Sequence, residues 1–437
     1  MTMLSLIDEE FETFRAATAD AEVESCAVGY VAAAARNRYV VRRFEAVPES
    51  AYLERSASRA TLSPEFSVHV ANAARAEGLG VLIAHTHVGD APLERFSGID
   101  DAGESVLLTY FSRRVPGQQH FSCLVTPALQ CRALGARERA SVRLVGKSIR
   151  QDLGREPIAH FEHHDRQIRA FGRDGQRILE RTRVGVVGLG GTGSIVVQQL
   201  AHLGVHDFVF IDPDEVEASN LNRLVGTTSR DVGKPKTSVA KRHVLSVNPS
   251  AGVVEIIGNV IDSSIAVHLL NCDFLFLCTD THASRAVVNQ VAYQYLIPCI
   301  DMGVAVHAAG GVVKHVAGRV HMLAPGLPCL TCGTWIDSNQ VRLEMMTDEQ
   351  RAEDPYFVGV SVEQPAVITL NSTVASLAVT MCLSALTGLP ADARLILYDA
   401  MKGSVRSVTA RRNSKCIVCS SSGALARGKT WPLPTRP

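Results

Sequence analysis

At 437 residues the chain is long enough for two or three domains, and a 46% hydrophobic content is enough to fill their cores. Its 44 basic and 44 acidic residues cancel, so nothing in the charge balance indicates a nucleic-acid or membrane partner. Eleven cysteines, an odd count, and a Met1–Ala16 segment that is acidic and lacks an apolar core of signal length point to a reducing, cytosolic setting.

The first predicted elements are two apolar strands, Cys26 to Ala33 and Val81 to Ala84. The second leads into His85-Thr86-His87, followed by Phe96-Ser97-Gly98-Ile99-Asp100-Asp101. Alternate residues on a strand point the same way, so two histidines spaced by one can share a metal ion. Glu24, just ahead of the first strand, can offer a carboxylate to the same cavity. This order, Glu…HxH…SxxD, resembles the JAB/JAMM metalloproteases, which cut after the C-terminal glycine of ubiquitin-like proteins. The resemblance covers roughly residues 20 to 125 and implies an α/β/α domain over residues 1–151. It further implies that His85, His87 and Asp100 bind Zn²⁺ with water in the fourth position, that Glu24 is the general base, and that Ser97 steadies the oxyanion. Zinc brings the pKa of its water to about 7, which supplies hydroxide at neutral pH. The chain departs from the family in its long spacing between His87 and Ser97 and in Val88, where proline is usual. A degenerate scaffold, a solvated HxH turn, and Asp101 as the ligand in a shifted register are therefore alternatives.

Residues 152–164, polar and charged, read as an interdomain linker, with His163 and His164 as solvated linker residues. Beyond it, Val184 to Val187 reads as a strand that breaks into Gly188, Gly190, Gly191 and Gly193 before a helix starting at Ser194. Such a turn brings bare N–H groups up to a phosphate, where a Cβ would block the approach. A second strand, Phe208 to Ile211, ends at Asp212, placed to accept hydrogen bonds from a ribose. A nicotinamide oxidoreductase explains this much. It leaves Asn220-Leu221-Asn222-Arg223 and Gly233-Lys234-Pro235-Lys236 without purpose, whereas attack on an α-phosphate uses that positive charge. A third strand, Phe274 to Cys278, is followed by Asp280, placed to hold Mg²⁺.

The pattern GxGGxGS…D…NLNR…GxxK…CTD resembles the ThiF/MoeB/HesA adenylyltransferases and the adenylation domain of ubiquitin-activating enzymes, from about residue 160 to residue 420. The resemblance implies a Rossmann-like, mostly parallel sheet over residues 165–420. It assigns ATP to Gly188, Gly190, Gly191, Gly193, Ser194, Asp212 and Asp214, with Asn220, Arg223 and Lys236 at the phosphates and Asp280 on Mg²⁺. Asp165-Arg166-Gln167 looks like the family's RQ motif, which makes Arg166 act on the ATP of the other subunit of a homodimer.

Cys329-x-x-Cys332 and Cys416-x-x-Cys419 can complete one tetrahedral zinc site, a closed structural one, or they are two unrelated CxxC turns. The resemblance favours the shared zinc. The other cysteines sit mostly in apolar surroundings and pack as small hydrophobes. None lies between Cys332 and Cys382, where thioester-forming relatives often carry a nucleophile. Ser338 to Gln364 reads as a mobile crossing loop, Ala366 to Leu386 as a buried or dimer-interface helix rather than a membrane span, and residues 421–437 as a disordered tail.

Together these features predict an α/β fusion. A ThiF-like half adenylates the C-terminal glycine of a small β-grasp protein, and a JAB-like half cuts after that glycine. The acceptor is a conjugating enzyme or a sulfur donor, in a bacterial conjugation or sulfur-transfer pathway such as phage defence. A non-catalytic scaffold that binds ubiquitin-like tails is the rival reading.

Overall fold

The structure is a computed structural model that describes residues 2–17, 22–88, 95–125, 129–151, 161–309, 312–347, 350 and 365–437. It divides into two compact units. One comprises Met1–Gly154 with Gln294–Leu296 and Leu425–Pro432, and the other Arg155–Tyr293, Ile297–Ala424 and Leu433–Pro437.

The first unit is built on β1 (Met3–Ile7), β2 (Cys26–Ala35), β3 (Arg38–Ala46), a small hairpin of β4 (Tyr52–Ser56) and β5 (Arg59–Leu62), β6 (Gly80–Thr86), β7 (Phe121–Val125), β8 (Gln130–Ala133), β9 (Arg139–Val145) and β10 (Ile149–Gln151). Its main sheet runs β1-β3-β2-β6-β7-β8-β9-β10, and β1 also pairs in parallel with β9. The sheet therefore closes on itself, which the α/β/α expectation did not include, and closure removes two open edges. Leu4, Leu6, Ala27, Leu82 and Phe121 fill the core, with Phe11 and Phe14 of the helix Asp8–Ala17 packed on them. Each of the leucines and phenylalanines contributes about 1.5–3 kcal/mol on burial.

The second unit carries β11 (Arg183–Val187), β12 (Asp207–Ile211), β13 (Gly252–Ile256), β14 (Phe274–Leu277), β15 (Cys299–Ala309), β16 (Val312–Leu323), β17 (Leu395–Asp399) and β18 (Ser404–Ser407), in the order β13-β12-β11-β14-β15-β16-β17-β18. The first five are parallel and the rest antiparallel. The short strands of the parallel part are near-continuous apolar runs because both faces are covered: Phe208, Phe210, Phe274 and Phe276 are 0% exposed. The strand order reverses direction beside β11, so the C-terminal ends of β11, β12 and β14 frame a crevice of the kind that binds nucleotides.

Four expectations need correction. Residues 421–437 are no loose tail: Ala424, Leu425 and Ala426 are buried, and Gln294 Nε2, itself 0% exposed, donates to the carbonyls of Gly428 (2.7 Å) and Trp431 (2.6 Å). Small residues here serve close packing: Gly428 allows the approach, since a Cβ there would lie 2.5 Å from Ala33 O. His163 and His164 lie in the helix Phe161–Arg181, where His164 Nδ1 is 3.0 Å from Gln167 Nε2; residues 152–160 of the expected linker lie outside the described residues. The crossing loop begins as a helix, Ser338–Met345, because Asp337 caps it by accepting from Asn339 and Gln340 N–H; residues 348–349 and 351–364 are outside the description. The glycine-turn helix starts at Gly191, ahead of Ser194.

The apolar segment near residue 370 forms the helix Ile368–Thr387, long and apolar enough to cross a membrane by length and composition, with 50% of its apolar window buried inside the protein. It packs on the helix Gly191–His202 and on β15 and β16.

Candidate active and metal sites

Tight backbone packing shapes the glycine turn. Gly188 adopts φ +87° against the Cys278 carbonyl, a conformation that a side chain would strain. A Cβ on Gly193 would fall 2.0 Å from Gly188 O, and one on Gly191 2.1 Å from Asn371 Nδ2. Gly190 has nothing within 4 Å of its Cβ position, so the turn offers open space at its tip and the N-terminus of the helix Gly191–His202 behind it. That combination of a bare cradle and a helix N-terminus fits a phosphate chain.

Asp212, 4% exposed, accepts from Leu189 N–H (2.6 Å) and Asp214 N–H (2.8 Å), and so ties the glycine turn to the end of β12. Burial raises its pKa, an effect that nearby Lys236 and the two N–H donors oppose. Lys236 starts the helix Lys236–Val247 and donates to Asp214 Oδ2 at 2.7 Å. Arg223 Nη1 donates to Ser219 O (2.7 Å) and lies near Asn222 Oδ1 (3.3 Å), and its Cδ is 3.5 Å from the Cβ position of Gly191. The two cations thus stand at the glycine turn and at the Asp212–Asp214 end of β12. Asp280 is exposed in the turn after β14.

Two of the motif's residues also shape the loop around the site. Asn220 is 6% exposed; its Oδ1 accepts from Glu217 N–H (3.2 Å) and its Nδ2 donates to Ser219 Oγ (3.3 Å), so it shapes the turn that carries Arg223. Ser194 Oγ accepts from Val225 N–H (3.1 Å) and holds the same loop against the helix. Arg166 is exposed on its helix, while Gln167 donates to Leu203 O (3.0 Å) and caps the neighbouring helix. Asn371, seen in the sequence only as an interruption of an apolar run, touches the glycine turn; no local pattern signals that.

The four cysteines come together. Their sulfur atoms all lie within 4.8 Å of one another, with Cys329–Cys416 at 3.5 Å and Cys332–Cys419 at 3.4 Å. Tetrahedral thiolates at about 2.3 Å from zinc stand roughly 3.8 Å apart, so the set fits that ion with no ligand position left over. A hydrogen bond from Cys419 holds the Cys329 thiol well below its usual range.

In the first unit, β2 runs antiparallel to β6 with Cys26 opposite His85. Continuing that register, Thr86 N–H donates to Ser25 O (3.0 Å) and Ser25 N–H to Thr86 Oγ1 (2.9 Å), which sets Glu24 beside His87. Ser97 is the N-cap of the helix Gly98–Arg114: its Oγ accepts from Asp100 N–H at 3.2 Å, and Asp100 Oδ2 accepts from Ser97 N–H. This capping box turns Asp100 back to His85 Nε2 (3.1 Å) and His87 Nε2 (3.5 Å). His85 Nε2 is buried and makes no hydrogen bond of ordinary geometry, an orphaned atom of the kind a metal would satisfy. Burial alone would raise the Asp100 carboxyl, but the adjacent His85 imidazole and the hydrogen bond from Ser97 N–H outweigh it and hold it well below the usual range. Burial raises the Glu24 pKa despite the two histidines, as suits a proton acceptor. Asp101 is drawn away: Arg132 donates to it at 2.6 Å and to Glu104 at 3.0 Å, so the register alternative is not the one the structure takes.

A family model described as ThiF family matches residues 164–418. The molybdopterin-synthase adenylyltransferase of Escherichia coli (strain K12) is 30% identical over 258 residues, covering 59% of this chain and 95% of that protein. The SAMP-activating enzyme E1 of Haloferax volcanii is 30% identical, covering 58% of this chain and 85% of its own length. Among solved structures, E. coli MccB with ATP is 22% identical with a TM-score of 0.47, covering 59% of this chain and 74% of that one.

Proposed function

The chain belongs to the ThiF family and carries a ThiF-type adenylyltransferase domain, and from that premise we propose that it uses Mg·ATP to adenylate the C-terminal glycine of a small ubiquitin-like or sulfur-carrier protein. The observation that carries this reading is the meeting of the bare glycine turn, Asp212, Arg223 and Lys236 at one end of the parallel sheet.

A carboxylate is a poor electrophile, and the reaction makes it a mixed anhydride: the tail carboxylate attacks the α-phosphorus and pyrophosphate leaves. Asp212 accepts from the ribose hydroxyls. Arg223 and Lys236 offset charge that builds on the phosphate oxygens, where fixed donors act without reorganisation. Mg²⁺, when bound, neutralises the leaving pyrophosphate, and Asp280 is the side chain that would hold it. Arg166 reaches the nucleotide of a second copy, and the acceptor of the activated tail is a conjugating enzyme or a sulfur donor.

The test is pyrophosphate exchange with candidate β-grasp proteins ending in glycine. Exchange that requires the partner and is lost in Asp280→Ala supports adenylation. Exchange with none of them, while the tail still binds, would favour the non-catalytic scaffold.

The His85, His87 and Asp100 cluster with the buried carboxylate of Glu24 beside it supports a second activity, a JAMM-type zinc protease that cuts after the same glycine. Three ligands leave a position open, as catalytic zinc requires. Zinc there would supply Lewis acidity, Glu24 would take the proton from water, and the Ser97 hydroxyl would donate to the oxyanion. A linear fusion of the partner to a reporter should be cut, and Glu24→Gln should slow the cut on the order of 10²–10⁴-fold. Cleavage at the wild-type rate by Glu24→Gln and by His85→Ala would refute the assignment.

A further inference from the structure

Asp301 lies on β15 with 0% exposure, a carboxylate sealed inside the second unit. Its Oδ1 accepts from Arg285 Nε at 3.2 Å and its Oδ2 from Arg319 Nη2. Arg285 has a second task. Its Nη2 donates to Thr279 O at 3.0 Å, so the guanidinium spans from the buried carboxylate to the peptide next to Asp280. The same turn is held from its other side by hydroxyls: Ser284 Oγ lies 2.5 Å from Thr279 Oγ1 and 2.6 Å from Thr281 Oγ1. Arg319, on the far oxygen, stacks over Trp335 with its guanidinium carbon 4.8 Å from the ring centroid, and Trp335 follows the Cys329–Cys332 knuckle, donating from its N–H to Leu330 O at 3.0 Å.

A planar guanidinium carries donors in a fixed fork, so fixing one nitrogen on a rigid acceptor fixes the direction of the others. Asp301 is that acceptor, since it sits on a central strand and is itself pinned by Arg319. The fork reaches the Thr279 carbonyl, and Ser284 Oγ donates to the Thr281 carbonyl at 3.0 Å, so a carbonyl is held on each side of the Asp280 carboxylate and limits where it can swing.

We propose that Asp301, acting through Arg285, is a positioning residue that orients Asp280 for the divalent cation accompanying ATP. The proposal rests on the adenylation reading of this site and adds two residues outside its motifs. Asp301 touches neither nucleotide nor metal. Its effect is confined to how well the Asp280 turn is preorganised, so it should alter cation dependence and leave cation-free nucleotide binding alone.

The experiment is calorimetric titration of ATP into the full chain, in EDTA and across a Mg²⁺ series, for the wild type, Asp280→Ala, Asp301→Asn and Arg285→Lys. Residues that orient a metal ligand typically change metal affinity 10- to 100-fold, so Asp301→Asn and Arg285→Lys should need about 10- to 100-fold more Mg²⁺ to reach the wild-type ATP affinity. Their affinity in EDTA should match the wild type. Asp301→Asn leaves two guanidiniums beside a neutral amide and can fail to fold, in which case Arg285→Lys, which keeps the charge and loses the fork, decides the matter. Wild-type Mg²⁺ dependence in a folded Arg285→Lys overturns the proposal, as does an equal loss of affinity in EDTA. A wild-type chain that binds no ATP under either condition overturns the adenylation reading, and this inference with it. Mg²⁺ enhancement that survives Asp280→Ala removes the cation role of Asp280 and overturns the inference alone.

Discussion

His321 sits on β16 directly across from Asp301, 1% exposed, with its ring 4.7 Å from that of Trp335. Burial depresses its pKa to about 4, and Arg319 adds to the effect while Asp301 opposes it. A base whose folded pKa lies below its unfolded value binds its proton more readily when unfolded. Stability is therefore full above the unfolded value near 6.5 and is lost as pH falls towards 4. Between pH 7 and pH 5 this one residue should cost roughly 2 kcal/mol at 1.36 kcal/mol per pH unit. Denaturant unfolding of the wild type and His321→Leu at both pH values checks it: the variant should lose less stability on acidification, and equal losses would contradict the prediction. Asp100 and Asp101 are adjacent and chemically identical, yet one faces two histidines and the other Arg132. Zinc binding should fall sharply in Asp100→Asn and stay near the wild-type level in Asp101→Asn, as metal-content measurement on the purified variants will show.

The two candidate metal-ligand sets differ as elements do. The cysteines close a tetrahedron between two knuckles that are far apart in sequence, whereas His85, His87 and Asp100 leave one position open. Loaded protein should therefore carry two zinc ions per chain, with Cys329→Ser and His85→Ala each losing one. Only Cys329→Ser should lower the melting temperature by a large margin, because a closed structural site adds its binding free energy to folding. Equal, small changes in both would argue against a structural role for the cysteines. The sequence made these two clusters legible because residues that meet around one point from short spacings leave a local pattern, and it made the glycine turn and the parallel strands legible because bare backbone and unbroken apolar runs have few other uses. It did not reveal the closure of the first sheet through β1, since both pairings of that strand are parallel and long-range. Nor did it reveal the ordered residues near Gly428, whose partners are a buried glutamine and a distant strand, or the Asp301–Arg285 link, which joins a strand to the helix His282–Gln294 with no local pattern. Asn220 and Ser194 show what a motif leaves unsaid: it names residues that recur together, and these two hold the loop that Arg223 stands on.

At the scale of the whole molecule, the position of Arg166 bears on assembly. It is exposed on the helix Phe161–Arg181, and its side chain makes no hydrogen bond or ion pair to any described residue of its own chain, while its neighbour Gln167 anchors that helix to Leu203. An anchored helix with an unengaged arginine suits action on a second copy. If the nucleotide site of one protomer takes Arg166 from its partner, then Arg166→Ala and Asp280→Ala should each be inactive alone and complement each other when mixed. In a mixed dimer, the protomer bearing Arg166→Ala keeps its own Asp280 and receives an intact arginine, so one of the two sites works. Equal mixing with free exchange gives half mixed dimers, and pyrophosphate exchange should return to about a quarter of the wild-type rate. An arginine acting within its own chain predicts no recovery, because no protomer then holds both residues. The experiment also tests assembly, since a chain that stays monomeric at the assay concentration shows neither complementation nor a dimer by sedimentation.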